Sequence, residues 1–588
     1  MEKMNAPATI LQSLPDFIWR TRYRDNEANP PERELSDTFR RVARSAAASE
    51  RDPAVWEERF MGLLGDLRFL PGGRILAGAG TARHVTLCNC FVMGPIEDSL
   101  DGIFDSLKEG ALTMQQGGGV GYDFSTLRPR GARASSTGMI ASGPVSFLYL
   151  WDAMCATILS TGARRGAMMA TLRCDHPDIE AFIDAKRRPD LLSRFNLSVL
   201  LTDTFMNAVE ENLPWSLIFG QVRKTLRARD LWARLCDSAY DCGEPGVLYI
   251  DRINSENNLN YCETLSATNP CAEEPLPPYG ACTLGSVNLT AFVLDAYAPT
   301  ARLDLPAIRE TAALAVRFLD DVVDVSGYPL VRQREEAYRA RRIGLGITGL
   351  ADALAMIGLR YDSPAAREMA SRTMCAIRDA GYEASIRLSE ERGAFPAFDA
   401  PRYLERPFIR RLPPEIRDGI RRHGMRNSHV LAIAPAGTIS LLAGNVSSGI
   451  EPIIGLEVRR HVLDPDGVRH EVRVEDFAYA AWCARASGEA LPESLRDPQA
   501  VSARDQLLMQ AELQTCVDGS ISKTLMLPRD LPRTSVPDIL RAAYDLGLKG
   551  CTVFRETSRA QVIQSATPAD HERPAPGAHC CELEREND

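Results

Sequence analysis

Apolar residues recur at helical spacing over 34–48 and 53–64, so residues 1–70 read as a helical region. Period-two alternation over 84–92 predicts a strand. It places Cys88 and Cys90 on one face, about 7 Å apart, and their parallel Cβ directions make a bridge between them strained. Asp98-Ser99-Leu100-Asp101 opens a helix that reaches Met114 and stops at glycines. Between 191 and 249, strand-like runs (195–201 and 215–219) alternate with a helical run (226–240). Strand-like runs return at 430–433 and 552–555. Ser363-Pro364 gives an N-cap and a proline at the first helical position, and that helix can run towards Glu391. The alternation predicts an α/β fold with a mainly parallel sheet and helices outside it.

Composition narrows the function without choosing it. The chain has 588 residues, 45% apolar and 25% charged, as in ordinary globular proteins. A net charge of −10, with no dense basic run, argues against a nucleic-acid surface. Small anionic ligands must then be held by local donors. The first residues lack the apolar core of a signal peptide. The most apolar stretch, 144–160, is interrupted by Asp152 and is too short to span a bilayer. We therefore expect a cytoplasmic protein with no membrane contact. The 15 cysteines are odd in number and scattered, which fits reduced thiols, and a disulfide in that setting is more often catalytic than structural. Neither Cys-x-x-Cys nor His-Glu-x-x-His occurs, so no protein-held metal is expected. Residues 561–588 are rich in Ala, Pro, Glu and Arg, read as a flexible tail, and carry the vicinal pair Cys580-Cys581.

The densest candidate chemistry is Asn269-Pro270-Cys271-Ala272-Glu273, with a second thiol at Cys282. Pro270, Pro275, Pro277 and Pro278 exclude a regular helix or a central strand. A loop results, and loops on rigid scaffolds are where reactive groups sit. Taken alone, such a cysteine is more often a packed small hydrophobe. Residues 435–440 form a second candidate, suited to phosphate. Gly437 permits close approach, backbone N–H groups can point outwards, and Thr438 and Ser440 add hydroxyls. Cys516 and Cys551 read as core residues.

Four segments together resemble the large subunit of ribonucleotide reductases. Asn269 to Glu273, with Cys282 to Leu289 (Cys-Thr-Leu-Gly-Ser-Val-Asn-Leu), resembles the finger loop that carries the radical. Asn89-Cys90-Phe91-Val92 resembles the strand of the other redox cysteine. Ala434 to Ser440 resembles the substrate-phosphate turn, and Gln116 to Gly121 the glycine-rich turn at the substrate. The likeness extends from about Gly72 to Arg559. The tyrosine pair of the oxygen-dependent class is absent, since Tyr544 stands alone, and so is the Arg-Val-x-Gly-Tyr motif of the glycyl-radical class. Gly444 to Glu451 (Gly-Asn-Val-Ser-Ser-Gly-Ile-Glu) is most similar to the adenosylcobalamin-dependent class. No Asp-x-His-x-x-Gly motif offers a histidine to the cobalt, in keeping with a base-on binder.

The resemblance implies a ten-stranded α/β barrel of the ribonucleotide reductase and glycyl radical enzyme type over 71–560, with a central finger loop. The helical region over 1–70 leaves no room for a nucleotide-binding cone, so no overall switch by ATP and dATP is expected there. Cys271 is implied as the thiyl radical that takes the 3′-hydrogen. Glu273 is implied as the general base for the 3′-hydroxyl, with Asn269 orienting that region. Cys90 and Cys282 would supply two electrons and become a disulfide; Cys90 is favoured over Cys88 by its place in the motif. Substrate contacts are implied at Asn89, Cys90, Gly119, Arg165, Asn269, Pro270, Cys271, Ala272 and Glu273, and at Pro435, Ala436, Gly437, Thr438 and Ile439. Arg165 belongs to the segment 162–167, implied to link effector to substrate base. Asp98 and Arg128 are implied in effector binding, a carboxylate for ribose and an arginine for phosphate; alone they would read as a helix cap and a surface charge.

The implied cofactor is adenosylcobalamin, which carries its own cobalt, and no short motif marks its pocket. The implied partners are ribonucleotides (diphosphates favoured over triphosphates), dNTP specificity effectors, and a thioredoxin or glutaredoxin-type reductant acting through Cys580 and Cys581. A vicinal disulfide there is a strained eight-membered ring, which perturbs its redox poise. A homodimer is expected, without a radical-generating small subunit. Two other readings keep the same fold: a thiyl-radical enzyme on another substrate, and a non-catalytic nucleotide-binding regulator.

Overall fold

The computed structural model describes residues 14–133, 140–158, 167–188, 191–463, 469–486 and 489–555. Arg165, Cys580 and Cys581 lie outside the described residues. The helical start resolves into helices Leu35–Ala47 and Pro53–Gly65, within a residue of the ranges predicted from periodicity. The first buries Phe39, Val42, Ala43 and Ala46 and packs on the second and on the long helix Leu305–Val325. Helix Pro364–Arg392 starts as expected, with the Ser363 side chain accepting from Ala366 N. It packs along Leu305–Val325 on the outside of the sheet.

Nine strands and one short segment close a ring. The strands are β1 (Cys90–Val92), β2 (Gly119–Asp123), β3 (Met168–Arg173), β4 (Phe195–Leu201), β5 (Gly246–Tyr249), β6 (Ala281–Asn288), β7 (Ile343–Thr348), β8 (Thr524–Leu527) and β9 (Gly550–Arg555). β1 to β5 pair in parallel, in chain order. β5 meets β9 antiparallel, and β9 pairs β8 in parallel. Ile521, just ahead of β8, bridges Ile433, and Leu431 bridges Leu345 of β7. β7 pairs β6 in parallel, and β6 returns to β1 antiparallel. Two parallel halves are thus joined by two antiparallel seams. The strand Phe69–Pro71 continues along β6 past the end of β1, which makes the hydrogen-bonded sheet ten-stranded. β4 is buried at every position, as expected for a parallel strand covered on both faces.

Several expectations need correcting. The strand predicted over 84–92 is only Cys90–Val92. Upstream, Thr86 N bonds the distant Gln116 O and Cys88 N bonds Thr86 Oγ1, so isolated bonds replace the ladder. Cys88 packs in a different apolar cluster from Cys90, with its sulfur 3.7 Å from Ser326 Oγ. The run 215–219 belongs to a separate hairpin, Pro214–Phe219 with Val222–Arg227, outside the ring. The second arm of that hairpin takes the start of the predicted helix, which begins at Ala228. The run 430–433 is a stave held by single bridges, not a regular strand. Cys516 is buried as expected, but it forms a disulfide with Cys375, Cα–Cα 5.5 Å, in a structural position between the helix Pro364–Arg392 and the segment ahead of Asp518.

Candidate active site

The hairpin Ala267–Thr268 with Pro275–Leu276 presents residues 269–274 as its tip. The tip is tied across its base. Asn269 N donates to Glu274 O at 3.2 Å, and Glu274 N donates to Asn269 Oδ1 at 3.0 Å. Ala272 takes a left-handed φ of 66°, a conformation costing an alanine about 1–3 kcal/mol. The hairpin touches both halves of the ring, which places it in the lumen. A Cβ on Gly121 of β2 would lie 1.8 Å from Thr268 O, and one on Gly119 would lie 3.2 Å from Pro270 Cγ. From β4, Asn196 Nδ2 donates to Pro270 O at 2.7 Å. On the far side, Ser520 N donates to Glu273 O at 2.9 Å.

β1 and β6 bring the two distant thiols together. Cys90 and Cys282 are register partners in the antiparallel seam. Opposed residues there have Cα atoms about 4.5–5.5 Å apart, inside the range that a disulfide spans. The tip reaches this pair directly. Asn269 Nδ2 donates to Cys90 Sγ at 3.1 Å, and Cys90 Sγ lies 3.7 Å from Glu273 Oε1. Cys282 Sγ donates to Glu274 Oε1 at 3.0 Å.

Cys271 is half-buried and lines a cleft partly open to solvent. Its lining includes Asn196, Ser198, Leu248, Pro435, Ser522 and Thr552. Cys551 is buried as predicted but also lines this space. Cys90 and Cys282 do not line it; they sit in a small apolar cluster with Val92, Leu276, Leu284 and Ala432. Burial, reinforced by the Glu274 carboxyl, pushes the Cys282 thiol well above the ordinary range.

At the phosphate-like turn, Ala436 is left-handed at φ 55° and caps the short helix Gly437–Leu442. Ser440 Oγ donates to Gly437 O at 2.7 Å, so that hydroxyl is used internally. Thr438 Oγ1 is buried and has no hydrogen-bond partner among the described residues, and the same holds for Asn89 Oδ1 and Asn196 Oδ1. Buried polar groups are nearly always paired, so these three atoms are open to a water or to a polar ligand. Asp98 and Arg128 are brought together: Arg128 Nε donates to Asp98 Oδ2 at 2.8 Å, and Nη2 to Asp98 O at 2.8 Å. The helix cap is the neighbouring Ser99, not Asp98.

Sequence reading missed Glu274, Asn196 and the buried cluster of Lys523, Glu451 and Gln506. Lys523 Nζ donates to Gln506 Oε1 at 2.8 Å and pairs with Glu451, fixing the entry to β8. The Glu273-Glu274 doublet was the available signal for Glu274. Nothing local marks Asn196, whose role comes from the partner across the lumen.

A family model described as "Ribonucleotide reductase, barrel domain" matches residues 88–554, and one described as "Ribonucleotide reductase, all-alpha domain" matches 17–84. A vitamin B12-dependent ribonucleoside-diphosphate reductase of Mycobacterium tuberculosis is 42% identical over 580 residues, covering 94% of this chain and 80% of the relative. One from Thermoplasma acidophilum is 35% identical over 537 residues, covering 88% and 67%. The ribonucleoside-diphosphate reductase subunit alpha of Chlamydia muridarum is 27% identical over 472 residues, covering 70% and 44%.

Proposed function

The chain belongs to the ribonucleotide reductase family, and from that premise we propose that it reduces ribonucleoside diphosphates to 2′-deoxyribonucleotides with adenosylcobalamin. The observation that carries this reading is the tip itself: five residues place one thiol at a cavity and hold an amide and a carboxylate against Cys90, the register partner of Cys282. The diphosphate preference follows the names of the relatives from M. tuberculosis and T. acidophilum.

The cleft at Cys271 sets a few polar side chains among apolar ones, the makeup of a small-molecule site. Asn196, Ser198 and Thr552 would hold the adenosyl end, and the unpaired Asn196 Oδ1 suits a hydroxyl or amino group there. When bound, adenosylcobalamin supplies the radical that oxidises Cys271. Cys271 then takes the 3′-hydrogen of the ribose and returns it to the 3′-carbon after the 2′-carbon is reduced. Glu273 accepts the 3′-hydroxyl proton, and Asn269 orients that region. Cys90 and Cys282 provide the two electrons and two hydrogens that release the 2′-hydroxyl as water, and finish as a disulfide. Thr438 Oγ1 and the backbone of 435–439 take the phosphate, and Asn89 Oδ1 faces the sugar side.

Around this centre we place a dNTP effector at Asp98 and Arg128, where a bound nucleotide must displace their mutual ion pair. Arg165 is proposed to relay that effector to the substrate base, and Cys580 and Cys581 to pass electrons from thioredoxin or a glutaredoxin-type protein. The chain divides as a helical region over 1–70, a barrel over 71–560 and a tail over 561–588. Exposed Leu100 and Phe104, with Tyr149 and Leu150 on the helix packed beside theirs, support a homodimer. No described helix is long and apolar enough to cross a membrane, and we place the protein in the cytoplasm. No small radical-generating subunit is required.

The test is turnover of CDP and CTP, each with adenosylcobalamin and a dithiol, with and without dTTP. Deoxycytidine diphosphate formed from CDP is expected. Absence of deoxynucleotide from both substrates would overturn the proposal.

A further inference from the structure

Glu274 is not used in the scheme above, yet its carboxyl is the closest polar group to Cys282. Its backbone is fixed at both ends by Asn269, which aims the side chain at the β1–β6 seam. Space for it is made by Gly344 of β7, where a Cβ would lie 2.4 Å from Glu274 Oε1. The Cys282 thiol donates to that oxygen at 3.0 Å, and both residues are buried. Burial pushes the Glu274 carboxyl up to about 8; Glu273 and Asp518 add to this, while Arg342 and the Cys282 hydrogen bond oppose it. Lys549, the other charged group facing it, bonds the carbonyls of Asp518 and Gly519. Near neutral pH the carboxyl therefore carries its proton beside a sulfur that cannot readily hold a negative charge.

We propose that Glu274 is the proton partner of Cys282, protonating that sulfur as the Cys90–Cys282 disulfide is reduced. This rests on the reading of Cys90 and Cys282 as the redox pair. One thiolate of an external dithiol attacks Cys90 Sγ and forms a mixed disulfide. The Cys90–Cys282 bond breaks, and its electron pair leaves on Cys282 Sγ. The Glu274 proton moves to that sulfur, leaving a carboxylate. The second thiolate of the reductant displaces Cys90, which takes a proton from water, and the reductant closes its own disulfide. Glu274 regains a proton from water, so the two protons shed by the dithiol balance the two taken up. The dithiol is oxidised by two electrons and the protein disulfide is reduced by two. The physical need is the leaving group: a thiolate expelled into an apolar enclosure pays its full desolvation, and a neutral acid at hydrogen-bond distance removes that charge.

The experiment uses full-length enzyme oxidised by turnover, with free thiols counted before and after. Reduction by dithiothreitol is followed on both sides of pH 8, and the rate is divided by the concentration of reductant thiolate. In the wild type this quotient should be level up to pH 8 and fall about tenfold per pH unit once Glu274 ionises at higher pH, because the oxidised Cys282 no longer donates the hydrogen bond that opposes the rise. In Glu274→Gln it should be about a hundredfold lower at neutral pH and independent of pH. A level wild-type profile overturns the inference whether or not the variant folds, and so does a Gln variant that matches the wild type throughout. If the wild type loses no pair of thiols on turnover, the redox pair fails and the inference with it. A normal disulfide with a level profile removes only the role of Glu274.

Discussion

Two sulfurs of one loop system sit in opposite surroundings. Cys271 is half-buried and lines a cleft partly open to solvent. Cys282, on the strand that follows, is 1% exposed, faces Cys90, and is bonded to a carboxyl. The difference matches two kinds of chemistry. A sulfur that exchanges hydrogen atoms needs access to a neutral partner and develops no charge. A sulfur that exchanges electron pairs must shed and regain a proton, and in a closed apolar site it needs a local group to trade with. The fold provides each sulfur with one of these settings.

The sharpest way to break this contrast is to remove each sulfur in turn. Cys271→Ala should lower deoxynucleotide formation by at least about a thousandfold while substrate binding, measured by equilibrium dialysis, is kept. Residual turnover at a tenth of wild type would end the radical assignment. Cys282→Ser should lower multiple turnover with dithiothreitol by at least about a hundredfold. It should still exchange the 3′-hydrogen, read by isotope loss from labelled CDP. Were both variants to lose exchange equally, the two sulfurs would share one role and the comparison would collapse.

The legible and illegible parts of the sequence divide along the same line. Local signals were read well: the helix starts at Leu35, Pro53 and Pro364, and the proline-bounded loop at 269–274, depend on neighbours in sequence. Motif resemblance singles out the three cysteines as candidates, and the fold adds the seam that makes Cys90 and Cys282 register partners. What failed were inferences needing a partner across the barrel. Period two over 84–92 suggested a shared face for Cys88 and Cys90, but the ladder starts only where β6 and β2 are available to pair. Residues 430–433 look like a strand and serve as a stave through single bridges, because their neighbours overlap them only briefly. Asn196 and Gly344 carry no local pattern at all, since their purpose is set by the hairpin that comes to lie against them.

Backbone clearance gives a graded test of how firmly the tip holds the two sulfurs apart. In Gly121→Ala the new Cβ would meet the Thr268 carbonyl at 1.8 Å, so the hairpin or β2 must move. Overpacking of this kind costs about 1–3 kcal/mol. A shift of the order of an ångström should lower turnover about a hundredfold. Gly119→Ala meets the Pro270 ring at 3.2 Å and the Asn89 carbonyl at 3.3 Å, contacts relieved by a few tenths of an ångström, and its loss should be smaller in both thermal stability and rate. Equal effects of the two would mean that the hairpin floats in the lumen.

The smallest expected effect isolates one end of the tip. Asn196 Nδ2 holds the Pro270 carbonyl at 2.7 Å, directly before Cys271, whereas the side-chain bonds to Cys90 and Cys282 come from Asn269 and Glu274. Asn196→Ala leaves that buried carbonyl without its donor, at a cost of about 1–3 kcal/mol. If the cost falls on the position of Cys271, steps that use the radical should slow about tenfold, while reduction of the oxidised seam by dithiothreitol keeps its wild-type rate. The two readouts need the same preparation of enzyme, so a general loss of folding would lower both together. A variant slowed in disulfide reduction as much as in 3′-hydrogen exchange would mean that the tip moves as one body, and that the separate settings of the two sulfurs are not independently held.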